Sequence, residues 1–257
     1  MVLALAITWA AGSLVLLSNQ ATLLGGGQRH ATLALPIGLI FTLLLVSDIG
    51  PALAALVTVA LFGGRSRAQG LLGQLARWRI AWYWYALALV GPTAISLVGI
   101  AAFVAIGGMM DPSWIALLPG RIALTAVGGW GEELGWRGFA QPSLQSKFGA
   151  APAAVAVGVL WSIWHQWQLV APGGAPFTWD GAWWLILYLV SVSILIAWTY
   201  NSTQASLPSA VAAHVGINAV RFSPYPIAFV SVAFAVTALI VALIAGPKSL
   251  VRRRTAA

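Results

Sequence analysis

Gly128-Gly129-Trp130-Gly131-Glu132-Glu133-Leu134-Gly135-Trp136-Arg137-Gly138 is the stretch on which the reading of this chain turns. It lies inside an apolar run from about residue 115 to 146 and brings two acids and an arginine with it. An ionisable side chain near the middle of a bilayer costs several kcal/mol, so each one needs a partner or a function. Glu133 and Arg137 are four positions apart, so on a helix they face each other and form an ion pair that makes both charges tolerable. Glu132 points about 100° away from that pair. It is the acid without a local cation, and therefore the candidate general base. The competing reading of this stretch is that all three groups lock helix packing. Gly128, Gly129, Gly131, Gly135 and Gly138 let a neighbouring backbone, or an extended substrate, approach closely.

The rest of the chain decides what kind of protein holds such a stretch. Of its 257 residues 60% are hydrophobic and 7% charged. A soluble domain carries about a quarter charged residues, so a water-soluble enzyme is excluded. Apolar runs long enough to span a bilayer recur from end to end. Breaking them at Gly, Pro and charge predicts eight spans, at about 2–18, 33–62, 80–107, 115–146, 151–170, 182–200, 207–222 and 225–246. The expectation is an all-α, polytopic membrane helical bundle of about eight transmembrane helices, forming a single membrane domain over 1–257. The motif-bearing core runs from 115 to 222, and 1–107 adds further transmembrane helices. Met1 to Ser18 lacks the positive start of a signal peptide and reads as a retained first span.

The formal charge of +8 follows topology and not nucleic acid. Arg65, Arg67, Arg77, Arg79, Lys147, Lys248 and Arg252 to Arg254 fall on one side of the predicted bundle, and Arg29 and Arg221 on the other. The positive-inside rule makes the richer side cytoplasmic, and an even span count puts both termini there. The predicted location is a cell membrane, crossed many times. Trp78, Trp82, Tyr83, Trp84 and Tyr85, with Trp179, Trp183 and Trp184, read as headgroup anchors. The chain has no cysteine, which excludes disulfides, thiol catalysis and thiolate metal sites.

Two more spans carry polar residues. Leu160-Trp161-Ser162-Ile163-Trp164-His165 places a histidine among tryptophans, and Ala213-His214-Val215-Gly216-Ile217-Asn218 puts His214 and Asn218 on one helix face. Each alone reads equally as a packed or interhelical group. Depth brings them together. Glu132 lies fifteen residues before Lys147 and His165 fourteen after Ala151, so both stand about 21–22 Å from the inner end. His214 and Asn218 lie about 10 and 16 Å into their span. Convergence in depth points to one shared site.

In order along the chain these residues resemble the CPBP intramembrane proteases, the group that includes type II CAAX prenyl endopeptidases and the abortive-infection and bacteriocin-immunity membrane proteins. The three motifs are Glu-Glu-x-x-x-Arg, aromatic-x-x-x-His and His-x-x-x-Asn or Asp, met here by Glu132, Glu133 and Arg137, by Trp161 and His165, and by His214 and Asn218. Trp161 stands where Phe is common in the family, a departure expected to affect packing more than chemistry. The resemblance implies hydrolysis of a peptide bond in a membrane-associated protein or peptide. In its terms Glu132 and His165 activate water, His214 and Asn218 stabilise the oxyanion, and Glu133, Arg137 and Trp161 support the site. It also implies that CAAX-type, prenylated substrates are one option. An Asn amide is a neutral donor that cannot act as a base, which agrees with that allocation. No cofactor is expected to be required. Two histidines and a carboxylate are a known zinc-hydrolase set, so a zinc ion, if bound, would take Glu132, His165 and His214. The chain lacks the His-Glu-x-x-His helix that would point to zinc directly.

Two alternatives from other classes stand beside this one. The same carboxylates and histidines suit a proton-coupled transporter, with Asp48 as its further acid. Asp48 also reads as part of a helix break with Gly50 and Pro51. The third reading is a non-catalytic immunity or scaffold membrane protein. Beyond a substrate and the lipid bilayer, no partner is indicated, and nucleic acid is not one.

Overall fold

The computed structural model describes residues 2–16, 37–110, 114–166, 178–220 and 226–251, and every regular element among them is helical. In chain order these are α1 (Val2–Leu16), α2 (Ile37–Phe62), α3 (Gly64–Gly73), a 3-10 turn (Gln74–Ala76), α4 (Trp82–Ala105), α5 (Trp114–Glu133), a π-helical segment (Leu134–Ala140), α6 (Gln141–Phe148), α7 (Ala150–His165), α8 (Trp179–Ser202), α9 (Leu207–Asn218) and α10 (Ile227–Ala245). Apart from α3 and the 3-10 turn, which lie between the predicted runs ending at 62 and starting at 80, the helices follow those runs to within a few residues, because nothing else satisfies backbone groups inside hydrocarbon. Among the described residues α4, α8 and α10 are long and apolar enough to cross a membrane. Val2–Ala11, Asp48–Phe62 and Ala150–His165 are apolar but shorter. The twelve residues of α9 rise only about 18 Å, well short of the roughly 30 Å hydrocarbon core. Arg29, Asp111, Arg221 and the Arg252 to Arg254 tail lie outside the described residues.

Two expectations about continuity change. Asp48, Gly50 and Pro51 do not break the chain, for α2 runs through all three. The predicted run 115–146 is helical throughout, but it passes from α5 into a π-helical segment, where the Gln141 amide donates to the Trp136 carbonyl five residues back. Such segments recur at functional sites, and this one begins at Leu134, immediately after the two acids.

The glycines of α5 explain how α2 comes so near. Gly128, Gly131 and Gly135 line one side of the helical path. A methyl group at Gly131 would stand 2.8 Å from Ile49 Cα, and one at Gly135 would collide with the Pro51 backbone. In turn Gly50 of α2 lies against Thr8 of α1, and the Thr8 hydroxyl accepts from Trp164 Nε1 of α7 at 2.7 Å. On the other side, a methyl group at Gly216 of α9 would meet the Ala88 carbonyl of α4 at 2.6 Å. The Thr93 hydroxyl donates to the Gly216 carbonyl at 3.0 Å. Close backbone approach, made possible by small residues, therefore sets the positions of α2, α5 and α9.

Contacts between chain segments bring three of the cations together. Arg77 Nη1 donates to the Gln204 carbonyl at 2.6 Å, and Ser206, the N-cap of α9, donates to the Arg77 carbonyl at 2.7 Å. Asn201 donates to Gln145 on α6 and to the Ser249 carbonyl, while the Ala150 amide donates to the Lys248 carbonyl. Arg77, Lys147 and Lys248 are thus held at one end of the bundle. Along its flank α10 exposes Val232, Val236, Leu239, Ile240, Leu243 and Ile244, a continuous apolar face suited to lipid.

Candidate active site

Three helices deliver the site. α5 ends on Glu132 and Glu133, α7 carries Trp161 one turn before His165, and α9 carries His214 one turn before Asn218. Gly129 leaves room for α9, since a methyl group there would touch the His214 ring at 3.6 Å. Glu132, Glu133, Arg137, Trp161 and His214 are all buried, and His165 and Asn218 are partly exposed.

His214 lies between the two acids. Its Nδ1 is 2.8 Å from Glu133 Oε1, and because a carboxylate only accepts, Nδ1 carries the hydrogen. Its Nε2 faces Glu132 Oε1 at 3.7 Å, beyond hydrogen-bond range. Glu133 also pairs with Arg137, whose Nε lies 3.4 Å from Oε2. The expected ion pair is present, but its acid is not purely structural, for Glu133 orients the histidine as well. The Arg137 guanidinium is wholly buried and stands over the Trp161 ring, 5.1 Å from its centroid.

Glu132 is not isolated either. Trp161 Nε1 donates to its Oε2 at 2.7 Å. The Trp161 carbonyl accepts from His165 Nδ1 at 2.9 Å, so the neutral His165 ring carries its lone pair on Nε2. Trp161 therefore joins the acid to the histidine, so the departure expected to affect packing more than chemistry also brings the site a donor that phenylalanine lacks. The signal was available in principle, because a buried Trp N–H needs a partner. Depth counting placed Glu132 level with His165, and in the structure Trp161, one turn before His165 on α7, bridges the two.

Asp48 is the residue whose place the sequence misjudged. A methyl group on Gly128 would lie 3.5 Å from Asp48 Oδ2, which sets this carboxylate beside α5 one turn before Glu132. Among the described residues no three His, Asp or Glu side chains converge as a metal cage. The donor set Glu132, His165 and His214 is therefore not gathered as a zinc site. Oε2 of Glu132 and Nδ1 of His165 are instead engaged with Trp161.

Near the cationic end a cleft of ≈ 890 Å³ is lined by Arg77, Trp78, Arg79, Trp84 and Gln204, among others. The Trp78 ring lies 5.6 Å from that of Trp130, two residues before Glu132. The cleft and the acidic end of α5 are thus neighbours.

Comparison with known proteins agrees with the motifs. Residues 112–220 match the family model described as type II CAAX prenyl endopeptidase Rce1-like. The chain is 30% identical over 92 residues to CAAX prenyl protease 2 of Methanococcus maripaludis, a match covering 34% of this chain and 34% of that protein. The matched part thus spans about a third of the relative's length. The matched segment, 112–220, holds every residue of the three motifs.

Proposed function

We propose that this chain is an intramembrane endopeptidase that hydrolyses a peptide bond of a membrane-associated protein or peptide. CAAX-type, prenylated substrates are the class that the relative's name brings to it. The observation that carries the reading is the pairing of Glu132 Oε1 with His214 Nε2 at 3.7 Å, a base and a donor side by side that do not consume one another.

In this mechanism Glu132, with His165, takes a proton from water as its oxygen attacks the scissile carbonyl carbon. The carbonyl oxygen becomes an oxyanion, which accepts from the Asn218 amide and from Nε2–H of His214, here the imidazolium that carries a hydrogen on both ring nitrogens between the two acids. Collapse breaks the C–N bond, and the proton held by Glu132 goes to the leaving amine. Glu133 keeps the His214 ring oriented through Nδ1, and Arg137 neutralises Glu133. No step passes through a metal, and zinc is not required.

The substrate reaches the site from the cationic end, where the cleft beside Trp78 and Trp130 adjoins α5. With that end cytoplasmic, as the positive-inside rule gives it, cleavage takes place on the inner side of a cell membrane. The test is cleavage of a fluorogenic, lipid-modified peptide library by purified protein in nanodiscs. Wild type should cleave, and Glu132→Gln and His165→Ala, folded by thermal melt, should not. A folded Glu132→Gln that cleaves at the wild-type rate would overturn the mechanism.

Proton-coupled transport is the second reading, and Asp48 beside Gly128 is the observation in its favour. Proton-driven uptake in proteoliposomes, without cleavage, would select it.

A further inference from the structure

We infer that Trp161 is a positioning residue of the reaction, whose indole N–H fixes Oε2 of Glu132 so that Oε1 is the oxygen that takes the proton from water. This rests on the endopeptidase reading and deepens it.

The two oxygens of a carboxylate are equivalent until something distinguishes them. Here Oε2 accepts from Trp161 Nε1 at 2.7 Å, while Oε1 is turned toward His214 Nε2 at 3.7 Å. Trp161 is 1% exposed, so solvent cannot serve its N–H in place of Glu132. Its ring is fixed in turn. The Arg137 guanidinium stands 5.1 Å from the centroid, and the His214 and His165 rings lie at 5.4 and 5.5 Å. The same residue uses its carbonyl to hold His165 Nδ1 at 2.9 Å. One side chain and its own backbone therefore align both halves of the water-activating pair. A phenylalanine would fill the aromatic position of the motif and keep the histidine contact, but it would release Oε2. The carboxylate would then rotate between two orientations, of which one presents the base correctly.

The experiment separates the donor from the ring. Trp161→3-benzothienylalanine, introduced by nonsense suppression, keeps the shape of the indole and replaces N–H with sulfur. Trp161→Phe is the natural counterpart. Both are measured in nanodiscs for cleavage and for melting temperature, beside wild type and Glu132→Gln. Loss of a charge-assisted hydrogen bond should lower kcat by roughly 10- to 100-fold. KM should stay within about twofold, because Trp161 acts through Glu132. The benzothienyl variant should fold, melting lower than wild type by only about the 2–12 °C that loss of one buried hydrogen bond costs. If it also cleaves like wild type, the indole serves packing alone and the inference is overturned.

A readout independent of turnover accompanies the kinetics. In the indole ¹⁵N–¹H spectrum one resonance, assigned by its absence from Trp161→Phe, should shift in Glu132→Gln. An unmoved resonance would overturn the hydrogen bond. Absence of cleavage by folded wild type would overturn the endopeptidase reading, and the catalytic role of Trp161 with it, while a shifting resonance would still report the bond.

Discussion

Replacing Arg137 with methionine removes the one cation from a wholly buried pair, and the structure sets the scale of the loss. Arg137 and Glu133 have no exposed side-chain surface and approach at 3.4 Å. At an effective dielectric constant of 20, two unit charges at that separation attract by about 5 kcal/mol. Desolvation of the guanidinium offsets part of this, so the pair as a whole is worth less. Removing one partner is different, because it strands the other charge, and such truncations cost about 3–5 kcal/mol. Glu133 would keep only the His214 Nδ1–H. For a chain of this size that loss corresponds to a melting temperature lower by about 6–20 °C. Thermal melting in detergent, followed by tryptophan fluorescence, measures it. A double-mutant cycle with Glu133→Gln adds the sharper criterion: the combined variant should be more stable than the sum of the single losses predicts, by at least about 1 kcal/mol. Melting of Arg137→Met within about 2 °C of wild type, or strict additivity in the cycle, would refute the claim that this pair is held together in a low dielectric.

Other outcomes follow from contacts already described. Gly131→Ala should destabilise the protein by about 1–3 kcal/mol, because the added methyl meets Ile49 Cα at 2.8 Å, whereas Gly120→Ala, with open space around it, should be tolerated. Comparative melts of the two variants test this, and equal stability would remove the close approach of α2 and α5. Cleavage should persist after dialysis against a chelator; complete loss that zinc alone restores would reinstate Glu132, His165 and His214 as a metal set. Asp48→Asn should leave cleavage within roughly tenfold of wild type, since Asp48 lies beside Gly128, one turn away from Glu132, and can act on it only as a neighbouring charge. A folded Asp48→Asn protein with no cleavage would bring Asp48 into the reaction itself.

Helical class, the approximate positions of the apolar elements and the three motif positions were legible in the amino-acid sequence. The reason is local: a long apolar run leaves the backbone no option but to bond within itself, and a charged residue in such a run is conspicuous. The same local logic found the Glu133 and Arg137 pair, which needs only a spacing of four. It failed at Asp48, where the short-range signals of Gly50 and Pro51 suggested a break. The surrounding helices keep α2 continuous there, with α5 glycines admitting its backbone.

The division of labour inside the site belongs to the tertiary structure. Spacing within one helix could not reveal that Glu133 holds a histidine 81 positions away, or that Glu132 receives an indole N–H from 29 positions away. Those contacts depend on how three helices are rotated about their axes, on a π-helical segment that changes the register, and on glycines that set the separations. Sequence by itself therefore determined which groups would be buried and in need of partners. Only packing decided which partner each received, because a hydrogen bond is sensitive to tenths of an ångström and to direction, and neither is written in the order of residues.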